Sequence, residues 1–253
     1  MKLDYKFYTT PIAHRGLHNA DKGFPENSLE AVKRAVLFGY GVEIDVQISS
    51  DKKVVVFHDD KLDRLTNESG LIREKRFDEL KNILLLGSKN KIPSLSEVLN
   101  IIDGKQPVLI EIKDQDGELG PNVGDLEKEV SKVLSTYNGP TAVMSFNPYS
   151  LKAYRSFGGL YPIGLVTEGF HQREWPKISK HKLKLLRELV YFDQIPCDFI
   201  SHDFQNLNSD PVEKLRNRGI PILSWTIKSA VDEVKARKRA ANITFEGYMA
   251  KHV

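Results

Sequence analysis

The sequence predicts an α/β protein whose 253 residues form a single (β/α)8 barrel. Short β-branched apolar runs alternate with stretches of helical period, and eight such runs can be counted along the chain. Barrels built this way occupy about 250 residues as one unit. One domain spanning residues 1–253 is therefore expected.

The eight strands fall at Pro11 to Ala13, Val42 to Ile48, Pro107 to Lys113, Thr141 to Phe146, Ile163 to Thr167, Asp198 to His202, Pro221 to Thr226 and Ile243 to Glu246. Each is a run rich in Val, Ile, Leu or Phe, as a strand buried on both faces requires. Between them, helices are expected at Ser28 to Phe38, Leu126 to Tyr137, Pro148 to Ser156, Leu183 to Val190, Pro211 to Arg218 and Ala230 to Ala240. Asn27 reads as the N-cap of the first of these, with Glu30 three residues on. Pro148 and Pro211 stand where a first helical turn tolerates proline, and Gly219 can close a helix in a left-handed turn.

One segment departs from the alternation. After an extra short strand at Val54 to Phe57, two helices are expected around Phe77 to Leu86 and Ser94 to Ile102, and residues at about 59–106 read as a small insertion after the second strand. A loop segment of that size at a barrel mouth is expected to shape substrate access. Seven residues follow Glu246, so the last outer helix is expected to be short or absent.

Composition narrows the function classes. With 40% hydrophobic and 28% charged residues the chain can bury a sizeable core. The 37 basic and 34 acidic residues nearly balance, and the one basic run, Lys235 to Arg239, has the spacing of a solvated helix face, so nucleic acid is not an expected partner. Cys197 is the only cysteine and cannot pair within the chain, which fits a reducing compartment. No segment has the roughly 20 apolar residues of a membrane helix, and the N-terminus lacks a long apolar targeting segment. A cytoplasmic location without stable membrane insertion is the expectation. A homo-oligomer is compatible with the composition and not specified by it.

Chemistry concentrates on two strands. In Val42-Glu43-Ile44-Asp45-Val46 a period of two puts Glu43 and Asp45 on one face, directed into the barrel. The pattern returns in Leu109-Ile110-Glu111-Ile112-Lys113, adding Glu111 and Lys113. Carboxylates crowded away from water need positive charge between them, and a divalent cation is the usual answer. Singly, each acid could pair with an arginine in a structural network; three on neighbouring strands point to a metal. His14 and His58 each follow a strand, at the rim where barrel enzymes do their chemistry, and suit acid–base work near neutral pH. Arg15 and Lys113 offer charge to an anion.

Together these residues resemble the glycerophosphodiester phosphodiesterase family of bacterial cytoplasmic type. The resemblance rests on His14-Arg15-Gly16, Pro25-Glu26-Asn27-Ser28, Glu43 with Asp45, His58-Asp59, and Glu111 with Lys113, in matching order and spacing. Arg64-Leu65-Thr66, Ile92-Pro93-Ser94-Leu95 and Gly219 to Thr226 extend it over nearly the whole chain. It implies a TIM barrel with one divalent cation, Mg2+ or Ca2+, on Glu43, Asp45 and Glu111. It further implies an acid–base pair of His14 and His58, and a phosphate held by Arg15 and Lys113. Glu26 and Asn27 are further candidates for the site, and Trp225 for the pocket wall. The implied reaction is hydrolysis of glycerophosphodiesters, such as glycerophosphocholine or glycerophosphoethanolamine, to glycerol 3-phosphate and an alcohol. One histidine would take a proton from the nucleophile, either water or the substrate's own hydroxyl, and the other would protonate the departing alkoxide; the sequence does not assign the two roles. Two positions depart from the family pattern: Lys228 where the Trp-Thr motif often continues to asparagine, and Phe245-Glu246-Gly247 in place of a Thr-Asp ending.

Other features are set aside. Ser201-His202-Asp203 mimics a triad along the sequence, but neighbouring strand residues point to opposite faces. His18, His171, His181 and His252 read as structural or solvated. A lysophospholipase D or phospholipase C-like barrel enzyme is the competing catalytic reading, for which Ile83 to Leu86 is the candidate membrane-contacting patch. An inactive glycerophosphate-binding barrel is the non-catalytic one, and the complete set of histidines and acids argues against it.

Overall fold

The computed structural model describes residues 1–252. Its strands are β1 (Ile12–Ala13), β2 (Gly41–Ile48), β3 (Val54–Val56), β4 (Val108–Ile112), β5 (Thr141–Ser145), β6 (Ile163–Thr167), β7 (Phe199–Asp203), β8 (Ile222–Ile227) and β9 (Asn242–Phe245). They form a sheet in the order β1-β9-β8-β7-β6-β5-β4-β2-β3, and β1 also pairs with β2. All pairings are parallel except β2 with β3. Eight parallel strands thus close a (β/α)8 barrel, with β3 as an antiparallel flap on β2.

The period of two sorts each strand's residues between two cores. Val42, Ile44 and Val46 of β2 and Val108, Ile110 and Ile112 of β4 face outward into a large apolar layer beneath the helices. Inside the barrel, Leu109, Ala142, Met144, Val166, Phe199 and Leu223 fill the lumen. Gly164 of β6 is dictated by this filling: a Cβ there would stand 2.2 Å from the Phe199 ring. The lumen is stoppered from below by the short helix Lys6–Thr9, which the sequence did not announce. Its Phe7 is fully buried among the lumen residues, and Asn242 Nδ2 donates to the carbonyls of Phe7 (2.9 Å) and Thr10 (2.7 Å).

The outer helices follow the expected order with local corrections. The first runs Leu29–Leu37, and its N-cap is Ser28, whose Oγ accepts from the Ala31 amide at 3.1 Å. Asn27 does not cap it: with φ at 58° it turns its side chain inward, toward Asp45. The single helix expected at 183–190 is two, Lys180–Arg187 and Val190–Gln194, broken where Leu189 takes a φ of 57°. The helix expected around Phe77 is one turn, Phe77–Leu80.

The stretch at about 59–106 divides in two. Helix Leu95–Ile102, opened by a Ser94–Glu97 capping box, packs on helix Leu29–Leu37 as part of the barrel's own outer layer. The preceding stretch has a small core of its own, with Val55, Phe57, Leu62, Ile72, Leu80, Leu85 and Ile92. Among the described residues no helix follows β9. The tail returns across the barrel wall instead, with the Tyr40 hydroxyl donating to the Ala250 carbonyl at 2.6 Å and the His252 ring stacked 4.5 Å from that of Tyr40.

Candidate active site

Strand register builds the acidic centre. Asp45 and Glu111 are direct partners across β2 and β4, and Glu43 stands two residues before Asp45 on the same inward face. All three are buried, and one oxygen from each lies within 4.8 Å of the others. Burial raises the pKa of Glu43 well above the usual carboxylate range, and repulsion from Asp45 and Glu111 adds to it. Burial works in the same direction on Asp45, but Lys113, His58 and Arg15 outweigh it and hold Asp45 well below its ordinary value.

Two cations serve this centre. Lys113 Nζ lies 2.7 Å from Glu111 and 3.4 Å from Asp45. Burial would lower its pKa, yet those carboxylates more than reverse the effect and keep the ammonium charged. Arg15 takes a left-handed conformation (φ 53°), and so does Gly16 (φ 77°), where a Cβ would meet the Ala31 backbone at 2.8 Å. This turn directs the Arg15 amide to Glu43 at 2.9 Å and its Nε toward Asp45 at 3.4 Å. Asn27 completes the enclosure, donating to Asp45 Oδ2 at 2.9 Å.

The two histidines arrive by different routes. His14 directly follows β1, its amide bonded to the Phe245 carbonyl. Its Nδ1 lies 2.6 Å from Glu246 Oε2, and its Nε2 3.9 Å from Glu43. Burial lowers its pKa, and the Glu246 hydrogen bond only partly compensates. His58 follows the antiparallel β3, which runs back along β2 so that Phe57 bonds to the Asp45 carbonyl and His58 is set down at the mouth. Its Nδ1 lies 2.6 Å from Asp59 Oδ1.

Behind His58 the charges continue unbroken. Arg64 grips both Asp59 oxygens, at 2.7 and 2.8 Å, and both Glu26 oxygens, at 3.0 and 2.8 Å. Glu26 in turn holds Arg15 at 2.7 Å. Burial would raise the Asp59 pKa, but Arg64 and His58 outweigh it and keep the carboxylate ionised. Glu26 thus has both oxygens engaged by guanidinium groups and lies outside the carboxylate triad. Asp59, Arg64 and Glu246 were not singled out for a role in the sequence. The signal for the first two was present, since both sit in short motifs beside the matched histidine.

Both histidines, Arg15, Lys113, Glu43 and Glu111 line one pocket of about 370 Å³, a volume suited to a small molecule. Trp225 and Phe146 give the pocket an apolar wall, their rings 5.7 Å apart and nearly perpendicular. The Trp225 indole is fixed by an Nε1 hydrogen bond to the Ser201 carbonyl at 3.0 Å. His202 is buried between Thr167 (2.7 Å) and the Asn206 carbonyl (3.2 Å), and burial lowers its pKa to about 4, so it is a neutral structural residue. Of Ile83 to Leu86, Leu85 lies in the small core of the excursion while Leu84 and Leu86 are exposed, and none of the four lines the pocket.

Acids, histidines and cations converging on the C-terminal mouth of a parallel barrel define a (β/α)8 enzyme built for an anionic substrate. Residues 14–244 match the Glycerophosphoryl diester phosphodiesterase family, and the chain belongs to that family of phosphoric diester hydrolases. It is 31% identical, over 88% of each chain, to a glycerophosphodiester phosphodiesterase of Caldanaerobacter subterraneus subsp. tengcongensis. It is 30% identical to human glycerophosphodiester phosphodiesterase 1, over 86% of this chain and 71% of the human one. Among solved structures, a phosphodiesterase of Oleispira antarctica, in complex with its product sn-glycerol-3-phosphate, shares the fold with a TM-score of 0.75. That match has 24% identity and covers 96% and 94% of the two chains.

Proposed function

We propose that this protein hydrolyses glycerophosphodiesters, such as glycerophosphocholine or glycerophosphoethanolamine, to glycerol 3-phosphate and an alcohol, with the help of one divalent cation. The observation that supports this most directly is the buried triad of Glu43, Asp45 and Glu111, of which Glu43 and Glu111 line the same pocket as both histidines. The donor set suits a hard cation: all three donors are oxygens, they converge within 4.8 Å, and repulsion among them adds to the raised pKa of Glu43. With all three ionised, the carboxylates outnumber Lys113 and Arg15 by one charge. Mg2+ or Ca2+ would be held by Glu43, Asp45 and Glu111. An ion held there would supply positive charge to the phosphodiester oxygens and so make phosphorus more electrophilic.

The chain's own residues do the rest. Arg15 and Lys113, lining the pocket beside the triad, attract and orient the substrate phosphate. His14 and His58 exchange protons with the nucleophile and the departing alkoxide, each steadied at Nδ1 by a carboxylate. The Trp225–Phe146 wall packs against the organic part of the substrate and limits water. Cys197 takes no part: burial pushes its thiol up to about 12. No helix among the described residues is long and apolar enough to cross a membrane, and we propose that the protein works in the cytoplasm on free, deacylated substrates.

The test is release of glycerol 3-phosphate from glycerophosphocholine and glycerophosphoethanolamine by the purified protein, with Mg2+ or Ca2+ and again with excess chelator. Release that depends on the ion supports the proposal. Turnover undiminished by chelator would refute metal dependence, and no release from any glycerophosphodiester would refute the activity.

A further inference from the structure

Glu246 and Lys228, the two positions that depart from the family pattern, meet in space. Lys228 directly follows β8, Glu246 directly follows β9 and His14 directly follows β1, three strands adjacent in the barrel. The Glu246 backbone is pinned by its amide to the Ile227 carbonyl at 3.0 Å. Its carboxylate then divides its two oxygens. Oε1 receives Lys228 Nζ at 2.8 Å; Oε2 faces His14 Nδ1 at 2.6 Å and lies 3.6 Å from His18 Nε2. All four side chains line the pocket.

We propose that Glu246 is the positioning residue of His14, with Lys228 as its anchor. The inference rests on the phosphodiesterase reading of this site. A carboxylate so close to a ring nitrogen accepts a hydrogen bond, so Nδ1 must carry a hydrogen and the neutral ring presents its Nε2 lone pair to the pocket. Nε2 is also the nitrogen nearer Glu43, so the tautomer and the ring orientation both serve the reacting side. Lys228 Nζ is held on the other oxygen, which keeps the carboxylate from swinging toward solvent or toward Arg15. His58 has a separate arrangement of the same kind, Asp59 backed by Arg64. The Glu246–Lys228 pair gives His14 an equivalent backing built from the opposite end of the chain.

The experiment combines kinetics with imidazole nitrogen NMR on the 15N-labelled full chain, assigning His14 by difference against His14→Gln. Wild type is expected to show His14 protonated at Nδ1. In Glu246→Ala and the near-isosteric Glu246→Gln, whose thermal melts report intact folding, both tautomers should be populated. In these variants kcat for glycerophosphocholine should fall at least about tenfold while KM stays within about threefold, since losing the group that orients a reacting histidine affects turnover more than binding. A wild-type His14 protonated at Nε2, or both variants retaining kcat within about twofold, would overturn the inference. A wild-type protein inactive on every glycerophosphodiester would instead remove the phosphodiesterase reading, while the NMR result, which needs no turnover, would still decide the tautomer.

Discussion

Lys113→Met tests the acidic centre without relying on catalysis. The substitution keeps most of the side-chain volume but removes an ammonium held 2.7 Å from Glu111 and 3.4 Å from Asp45. Both carboxylates are buried, so the variant leaves them short of one compensating charge, and removing one partner of a buried ion pair costs about 3–5 kcal/mol. For a chain of this size that is about 10 °C in Tm, at roughly 2–4 °C per kcal/mol. The assay is thermal unfolding by circular dichroism, in chelator and then with rising Mg2+ or Ca2+. A ligand at about 100 times its Kd adds about 2.7 kcal/mol, so saturating cation should restore much of the loss. The restoration should exceed the gain in wild type, where Lys113 already occupies part of the same electrostatic space. Two results would refute the reasoning: a variant melting within about 2 °C of wild type in chelator, or a melt indifferent to both ions in both proteins.

Three further outcomes are expected. His58→Ala, assayed at saturating metal, should lose on the order of a hundredfold or more in kcat, and activity within a few-fold of wild type would remove its acid–base role. Burial lowers His202 from 6.5 to about 4, so its contribution to stability is complete above pH 6.5 and fades as pH falls toward 4. Between pH 7 and 4.5 the loss comes to about 2–3 kcal/mol; urea titrations should show a smaller pH dependence in His202→Asn, and parallel curves would contradict this. Gly164→Ala forces a Cβ to within 2.2 Å of the Phe199 ring and should destabilise by about 1–3 kcal/mol or more, with partial rescue by Phe199→Leu. Equal destabilisation of the single and double variants would show that the clash is relieved elsewhere.

The parts of this molecule that could be read from sequence are those where local pattern and global position coincide. All eight barrel strands lie where β-branched runs predict them, because a strand buried on both faces must be apolar throughout. The inward placement of Glu43, Asp45 and Glu111 follows from a period of two, since an acid interrupting such a run can only face the lumen. Asn27 was misread because a polar residue before a helix looks like a cap; a left-handed backbone at that one position sends it to Asp45 instead. Helix Leu95–Ile102 was assigned to the insertion because the excursion before it hid its place in the outer layer. The salt-bridge partners were the least legible. Glu26 and Arg64 are separated by 38 residues and His14 and Glu246 by 232, and no local periodicity reports on pairs so distant. Lys6–Thr9 was missed for a related reason: one turn shows no period, and what holds it is Asn242 at the far end of the chain.

The seam between the first and last strands determines when this site can exist during folding. β1 is two residues long and touches β9 through only Ile12–Thr244 and Ala13–Phe245, yet His14 and Arg15 follow it immediately. Every other pair of neighbouring barrel strands can form while the chain is still an open, curling sheet. The His14–Glu246 contact cannot, because it needs the two ends of the chain to meet, and contacts of such long sequence separation carry the largest loop-closure penalty. A mouth with both histidines backed by carboxylates therefore requires a closed barrel. If that seam is open, Asp45 and Glu111 can still be paired across β2 and β4, but His14 is without the carboxylate that faces it.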